Sequence, residues 1–160
     1  MTFDNSKSII SLRIKLFTAT VLLIAYFILA YVARILKFPV LHISDTVWTL
    51  IFVGLYIFGT LLPMILSYQY IWFSDEDDMI SLRYFAAGIV GGKKNSIEIN
   101  KAVFAGFRIE KKYFGRSKSI ILFQKSGQQT AKYPPVYISA LSKDQYRKLL
   151  SALRKYTPEE

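Results

Sequence analysis

The sequence LFTATVLLIAYFILAYVA, residues 16–33, contains no charged side chain and lies between Lys15 and Arg34. A hydrocarbon core of roughly 30 Å needs about 20 helical residues, because each residue rises about 1.5 Å. This run is long enough to cross the core when the side chains of Lys15 and Arg34 reach toward the headgroups. It therefore predicts a first transmembrane helix at about residues 14–36.

A second uncharged run, residues 46–74, lies between Asp45 and Asp75. It is longer than a bilayer requires, so only residues 46–67 are predicted to form a second transmembrane helix. Pro63, near the end of that helix, predicts a kink. Together the two runs predict a membrane-spanning helical hairpin.

A cleaved signal peptide is the alternative interpretation of the first run. No convincing small-x-small cleavage site follows it, and its uncharged segment is longer than the apolar region of most signal peptides. These two features favour a permanent membrane anchor.

Charge separates the hairpin from the rest of the chain. The protein has 160 residues, 52% of them hydrophobic, and a formal net charge of +10, yet only five of its 21 Lys and Arg residues lie in residues 1–74. We therefore predict an N-terminal segment at 1–11, the hairpin at 12–67 and a basic, water-soluble domain at 68–160. The chain has no cysteine, which excludes disulfides, thiolate metal sites and a cysteine nucleophile.

The basic residues near the helix ends predict the orientation. Lys7, Arg13 and Lys15 precede the first helix, whereas Arg34 and Lys37 lie in the short connection between the helices. The positive-inside rule then predicts an integral protein of the cytoplasmic (inner) membrane with both termini in the cytoplasm. The side chains expected at the membrane interface are Arg13, Lys15, Arg34, Lys37, Trp48, Tyr68, Tyr70 and Trp72.

The soluble half alternates strand-like runs with turn signals. Residues 68–73 are rich in aromatic side chains and read as a first strand, an interfacial belt, or both. One later run places Val103, Ala105, Phe107 and Ile109 on the same face with a period of two, as in a half-buried strand. The remaining segments are a turn at 75–78, strands at 79–85, 96–99, 119–125 and 128–133, and a separate edge segment at 136–138 after Pro134 and Pro135.

A helix is predicted to end the domain. Ser142 and Gln145 form a capping box, and Pro158 lies beyond the expected end. One helical face is apolar and carries Tyr146, Leu149, Leu150, Leu153 and Tyr156. The opposite face is basic and carries Lys143, Arg147, Lys148, Arg154 and Lys155.

The order of these elements resembles a known family. A two-helix hairpin precedes YIWFSDEDDMISLRYF (residues 70–85) and NSIEINKAVFAGFRI (residues 95–109), and a hairpin and a capped C-terminal helix follow. This order is similar to that of bacterial pleckstrin-homology-like (PH-like) membrane proteins. The resemblance implies two packed, nearly orthogonal antiparallel sheets closed at one end by the last helix. It implies no catalytic residues and no phosphoinositide ligand.

Three motifs suggest chemistry but lack the residues that the chemistry needs. The acidic run 75–78 lacks the glycine and the distal glutamate of an EF-hand and favours a solvated turn. The glycine-rich loop 88–94 is too short for a phosphate loop, and Lys94 stands where Ser or Thr would hold Mg²⁺. The single histidine, His42, cannot form a histidine cluster. We therefore predict no enzymatic activity, no metal site and no cofactor.

Positive charge is the remaining functional signal. One cluster is Lys93 with Lys94, and the second surrounds Tyr113-Phe114-Gly115 and consists of Lys111, Lys112, Arg116 and Lys118. The first interpretation is a solvated basic surface, and the second is a surface that contacts anionic lipid headgroups. A scaffold that holds a protein partner or a second copy at a sheet edge or at residues 134–137, as in an accessory subunit of a membrane complex, is a further hypothesis. Nucleic-acid binding is the least expected function.

Overall fold

The computed structural model describes residues 1–38, 42–87 and 92–157 of the chain. These residues form two compact units: Met1–Ile10 together with Ile65–Glu160, and Ser11–Met64. Most of the predicted glycine-rich loop, residues 88–91, and the predicted stop at Pro158 lie outside the described residues.

Two helices of the described chain are long and apolar enough to cross a membrane. Helix α1 (Ser6–Phe27) continues as a π-helical turn (Ile28–Val32), and helix α2 spans Asp45–Ile65 with Pro63 inside it. In its most apolar window the first helix buries none of its residues, and the second buries 6%. A core helix of a soluble domain would bury most of these side chains, whereas these helices expose their large apolar side chains.

Helix α1 begins earlier than its apolar run predicted, at Ser6 instead of about residue 14. The Asp4 carboxylate explains this start, because its Oδ1 accepts hydrogen bonds from the Ser6 backbone N–H at 2.9 Å and from the Ser6 hydroxyl at 2.6 Å. These bonds satisfy an N–H that has no partner inside the helix. The hydropathy pattern did not reveal this polar first turn.

Hydroxyl groups join α1 to α2 within the second unit. The Tyr26 hydroxyl lies 2.9 Å from Thr49 Oγ1, and the Thr20 hydroxyl lies 3.0 Å from the hydroxyl of Tyr56. The rings of Tyr26 and Phe52 meet edge to face, with centroids 4.8 Å apart. Interhelical hydrogen bonds of this kind stabilise helix pairs in membranes.

The first sheet contains a strand that the sequence analysis did not anticipate. Its order is β1 (Thr2–Asp4), β2 (Gln69–Ser74), β3 (Met79–Ala86) and β4 (Asn95–Asn100), all antiparallel. Residues 1–11 were predicted to be a separate segment, but residues 2–4 pair with residues 72–74. The sheet therefore combines one strand that precedes the two helices in the sequence with three strands that follow them.

The second sheet has β6 (Ser117–Ser126) at its centre. Strand β5 (Phe104–Lys112) pairs with one edge of β6, while β7 (Gln129–Lys132) and β8 (Val136–Tyr137) share the other edge. The prediction that Pro134 and Pro135 separate a short edge segment is confirmed, because β8 pairs with β6 independently of β7.

The prediction that Val103 and Ala105 lie on the more buried face of β5 is wrong at the start of the strand. Phe104 and Gly106 are the buried residues, whereas Val103 and Ala105 are only half-buried. Val103 lies in a short 3₁₀ turn, and the pairing with β6 shifts between Phe104 and Gly106. A β-bulge of this kind interrupts the period of two on which the prediction rested.

Helix α3 (Lys143–Tyr156) completes the domain and has the predicted capping box. The Gln145 N–H donates to Ser142 Oγ at 3.2 Å, and the Ser142 N–H donates to Gln145 Oε1 at 3.0 Å. Leu149 and Leu153 are fully buried in one core shared by both sheets, while Ala152 is more buried than Leu150. The fold of this unit is thus two antiparallel sheets with a C-terminal helix packed on their core.

Candidate functional site

The connection between β5 and β6 presents two aromatic side chains to solvent. Phe114 is fully exposed and Tyr113 is 59% exposed. Both have left-handed backbone conformations, with φ of +55° and +50°, and Gly115 follows at +82°. Such a conformation costs a bulky residue on the order of 1 kcal/mol or more, and hairpin turns usually place Asn or Gly there. Folding alone therefore does not explain why aromatic residues occupy this turn.

Four cations surround these aromatic residues, as the sequence predicted. We call residues 111–118 the basic hairpin. Lys111 lies directly opposite Lys118 in the pairing of β5 with β6, and Lys112 and Arg116 are exposed. Like charges that face each other across a sheet are destabilising. The ion pairs of the described residues join the N-terminal amine to Asp75 and Arg83 to Glu98, so no cation of the basic hairpin is neutralised by a carboxylate there.

One side of the basic hairpin borders a cavity of about 290 Å³. We call it the cationic cavity, because Arg116 and Lys118 line it together with Lys143 and Arg147 of α3. Its other lining residues are Gly115, Ile138, Ser139, Leu141, Ser142 and Tyr146, so no carboxylate of the described residues lines it. Lys143 and Arg147 were predicted to lie on the basic face of the last helix. Their spacing of four residues placed them on one side of α3, but only the tertiary fold brings that side to the hairpin.

The other predicted basic cluster lies on a different sheet. Lys94 borders a cavity of about 550 Å³ whose lining includes Tyr70, Trp72, Arg83 and Phe85. The rings of Tyr70 and Phe85 stack with centroids 4.7 Å apart, and the Arg83 guanidinium lies 4.9 Å from the centre of the Trp72 ring. Lys93 is exposed just before β4 and does not line this cavity. The two clusters predicted from sequence therefore belong to separate surfaces of the domain.

The predicted interface residues divide between the two units. Arg13 and Lys15 lie within α1 and are exposed, and Arg34 and Lys37 are exposed after the π-helical turn. Trp48 lies in the first turn of α2, where its ring stacks on Phe52. The predicted interface residues of the other unit are Tyr68, Tyr70 and Trp72, and all three are half-buried. Contact of these residues with lipid stays a prediction.

The acidic run 75–78 forms the predicted turn between β2 and β3, and a lysine binds its backbone. The Lys101 ammonium donates to the carbonyl of Asp75 at 2.8 Å and also to that of Asp77, and the Lys101 N–H donates to the Asp78 carbonyl at 2.8 Å. Across residues 1–38, 42–87 and 92–157, no three His, Cys, Asp or Glu side chains are grouped so that they could hold a metal ion. The carbonyl groups of this turn thus bind a cation supplied by the chain itself.

Comparisons with known proteins provide no relative from which a role could be transferred. No family model matches the sequence, no curated protein matches it, and no solved structure matches the fold.

Proposed function

We propose that this chain is an integral membrane protein without catalytic activity, whose basic, PH-like domain binds anionic lipid at the cytoplasmic face of the membrane. The PH-like assignment is supported by the two antiparallel sheets and the capped C-terminal helix, together with the order of the elements. The membrane assignment is supported by two apolar helices that expose their large side chains. The basic hairpin is the feature that carries the lipid-binding proposal.

The pairing of β1 with β2 supports a hairpin with both ends on one side of the membrane. Strand β1 precedes α1, and β2 follows α2, yet the two strands are adjacent in one sheet. Two crossings return the chain to its starting side, as this pairing requires. The excess of Lys and Arg before α1 over the connection between the helices favours the cytoplasm as that side.

The basic hairpin has the composition of a surface that enters the headgroup region. Each basic residue near an anionic bilayer contributes on the order of 1 kcal/mol, and aromatic rings are favoured at the interface. Only residues 66–68 separate the end of α2 from β2, so the covalent link gives the domain a high effective concentration at the membrane. A contact with lipid explains the exposed Tyr113 and Phe114 as well as the unneutralised cations.

Site-directed labelling of the full chain tests the proposal. The protein has no cysteine, so Phe114→Cys introduces a single labelling site. Gln128→Cys is the matched control, because Gln128 is an exposed residue in the turn between β6 and β7, which contains no aromatic residue. A spin label at 114 should be several-fold less accessible to a water-soluble nickel chelate in phosphatidylglycerol nanodiscs than in phosphatidylcholine nanodiscs. The label at 128 should be equally accessible in both, and 1 M salt should reduce the difference at 114.

Equal accessibility at 114 and 128 in both lipids would refute lipid contact by the basic hairpin.

The same Gln128→Cys variant tests the orientation, with Ser44→Cys in the connection between the helices as its partner. An impermeant maleimide should label position 128 in inverted membrane vesicles and position 44 in right-side-out vesicles. The reverse pattern would contradict the cytoplasmic placement.

A protein partner at the edge near residues 134–137 is less well supported. Strand β8 already pairs with β6, and the Tyr137 N–H donates to Gln69 Oε1 at 2.8 Å. Part of the backbone that strand addition would use is therefore occupied. Co-purification of a stoichiometric protein partner in mild detergent, lost on mutation of this edge but not of the basic hairpin, would favour the scaffold function instead.

A further inference from the structure

We infer that the cationic cavity binds a phosphate monoester group, such as the headgroup of phosphatidic acid. This inference rests on the proposed function and specifies the ligand of the same basic surface. The cavity lies where the end of the basic hairpin, the segment after β8 and the first turns of α3 meet. Each of these parts belongs to the same compact unit.

The electrostatics of the cationic cavity favour an anionic ligand. Arg116, Lys118, Lys143 and Arg147 line one cavity, and the nearest acidic residue in sequence, Asp144, does not line it. Four like charges around one cavity repel each other, and a bound anion would replace this repulsion with attraction. Since no carboxylate among the described lining residues supplies that negative charge, a bound anion would supply it.

Contacts with α3 and with the segment after β8 hold Lys118 in place at the cavity. The Lys118 ammonium lies 4.9 Å from the centre of the Tyr146 ring, a cation–π contact that joins β6 to α3. The Lys118 N–H donates to Ser139 Oγ at 2.9 Å, and the Ser139 hydroxyl donates back to the Lys118 carbonyl at 3.3 Å. Ile138 beneath them is 1% exposed. Lys118 is thus positioned before any ligand arrives, and this lowers the entropic cost of binding.

The number and type of the cations indicate the chemical class of the ligand. Arg116 lines the cavity from the basic hairpin, and Arg147 lines it from α3. Each guanidinium group can donate two parallel hydrogen bonds to the oxygens of one phosphate. A phosphate monoester carries a charge of about −1.5 to −2 at pH 7, whereas the phosphate diester of phosphatidylglycerol carries about −1. Four cations therefore favour the monoester. The cavity volume of about 290 Å³ is close to the lower end of the range of roughly 300–1,000 Å³ for small-ligand sites, as a single headgroup requires.

Native mass spectrometry of the delipidated full chain in a neutral detergent tests the inference. Phosphatidic acid, phosphatidylglycerol and phosphatidylcholine are titrated separately, and glycerol 3-phosphate and inorganic phosphate are added as soluble competitors. We expect phosphatidic acid to bind at least tenfold more tightly than phosphatidylglycerol. Competition by millimolar soluble phosphate would identify a free phosphate compound as the source of the ligand, and resistance to it would identify a lipid.

Two double variants remove the same charge, two positive side chains, at different places. Arg116→Gln with Arg147→Gln should weaken binding of phosphatidic acid at least tenfold. Lys125→Gln with Lys132→Gln removes the same charge from exposed residues of β6 and β7 outside the cavity and should change it less than threefold. If the first pair fails to fold, Arg116→Lys with Arg147→Lys keeps the charge but loses the paired hydrogen bonds, and should still weaken binding several-fold.

The outcomes distinguish this inference from the proposed function. Equal binding of phosphatidic acid and phosphatidylglycerol, with no greater loss in the cavity variants than in the control pair, overturns the inference and leaves anionic-lipid binding in place. Binding of phosphatidylcholine as tight as that of both anionic lipids, together with a fully accessible label at position 114, overturns the proposed function itself.

Discussion

Replacement of Asn5 by alanine should destabilise the β-rich domain, although Asn5 lies just beyond the end of β1 and outside both sheets. Asn5 is fully buried and continues the pairing of β1 with β2 through its side chain. Its Nδ2 donates to the Gln69 carbonyl at 2.9 Å, and its Oδ1 accepts from the Ile71 N–H at 2.8 Å. Its own N–H donates to the Ile71 carbonyl at 3.1 Å. The alanine variant keeps this bond and the one that the carbonyl of residue 5 accepts from the Ile9 N–H, but it loses both side-chain bonds.

The size of the effect follows from the two groups left without partners. The Ile71 N–H belongs to a residue that is 0% exposed, and the Gln69 carbonyl is in a half-buried residue. An unsatisfied buried polar group costs about 1–3 kcal/mol, so two such groups should together cost about 2–6 kcal/mol. Water can enter the space left by the side chain and hydrogen-bond these groups, so we expect a destabilisation near the lower end of that range. For a domain of this size, about 2 kcal/mol corresponds to a fall in Tm of roughly 8–16 °C.

The measurement is thermal unfolding of the full chain in a mild detergent. A Trp48→Phe background leaves Trp72 as the sole tryptophan, and Trp72 pairs with Asp4, next to Asn5. Asn95→Ala is the matched control, because Asn95 is exposed and its side chain makes one hydrogen bond, to the Lys93 carbonyl at 3.2 Å. That variant should change the unfolding free energy by less than about 0.5 kcal/mol. If the two variants unfold at the same temperature, the N-terminal segment does not hold the sheet as described.

The same unfolding assay tests three further residues. Lys101→Met should cost about 1–3 kcal/mol, because it frees the carbonyl groups of the β2–β3 turn, and a neutral result would show that water replaces the ammonium without loss. Gly106→Ala should cost about 1–3 kcal/mol, since Gly106 has φ of +124° at the bulge; an unchanged Tm would contradict this strain. Hydrogen bonds from the Ser6 side chain and backbone lower the pKa of the Asp4 carboxyl, so its stabilisation is complete above about pH 4 and is lost as the pH falls through the folded pKa. The difference in stability between the protein and Asp4→Asn should accordingly shrink below about pH 4, and a constant difference would argue against a charged Asp4 in this role.

The helices and the C-terminal cap were predictable because their signals are local. An uncharged run can be compared directly with the thickness of a bilayer, and Ser142 with Gln145 is a motif that satisfies its own backbone groups. Most strands of the domain were predictable for the same reason, since alternation and turn residues lie within each segment. The bulge at Gly106 was not, because a shift in pairing depends on the partner strand.

The features that define the candidate site depend on the tertiary fold. Thr2–Asp4 carries no alternating pattern long enough to identify a strand. Its partner strand, β2, is separated from it in the sequence by both helices. Similarly, the sequence located the cations of the basic hairpin but not their proximity to Lys143 and Arg147. Amphipathic periodicity places these two residues on the polar face of α3 without indicating what that face approaches.

With the proposed membrane topology, the pairing of β1 with β2 makes folding of the domain dependent on insertion of both helices. During synthesis β1 emerges before both helices, and its partner emerges after them. A chain in which only one helix had inserted would have β1 and β2 in different compartments. Its domain would lack an edge strand, and the groups that Asn5 satisfies would be left exposed to chaperones and proteases. With that topology, the complete four-stranded sheet forms only in a chain whose two helices have both inserted.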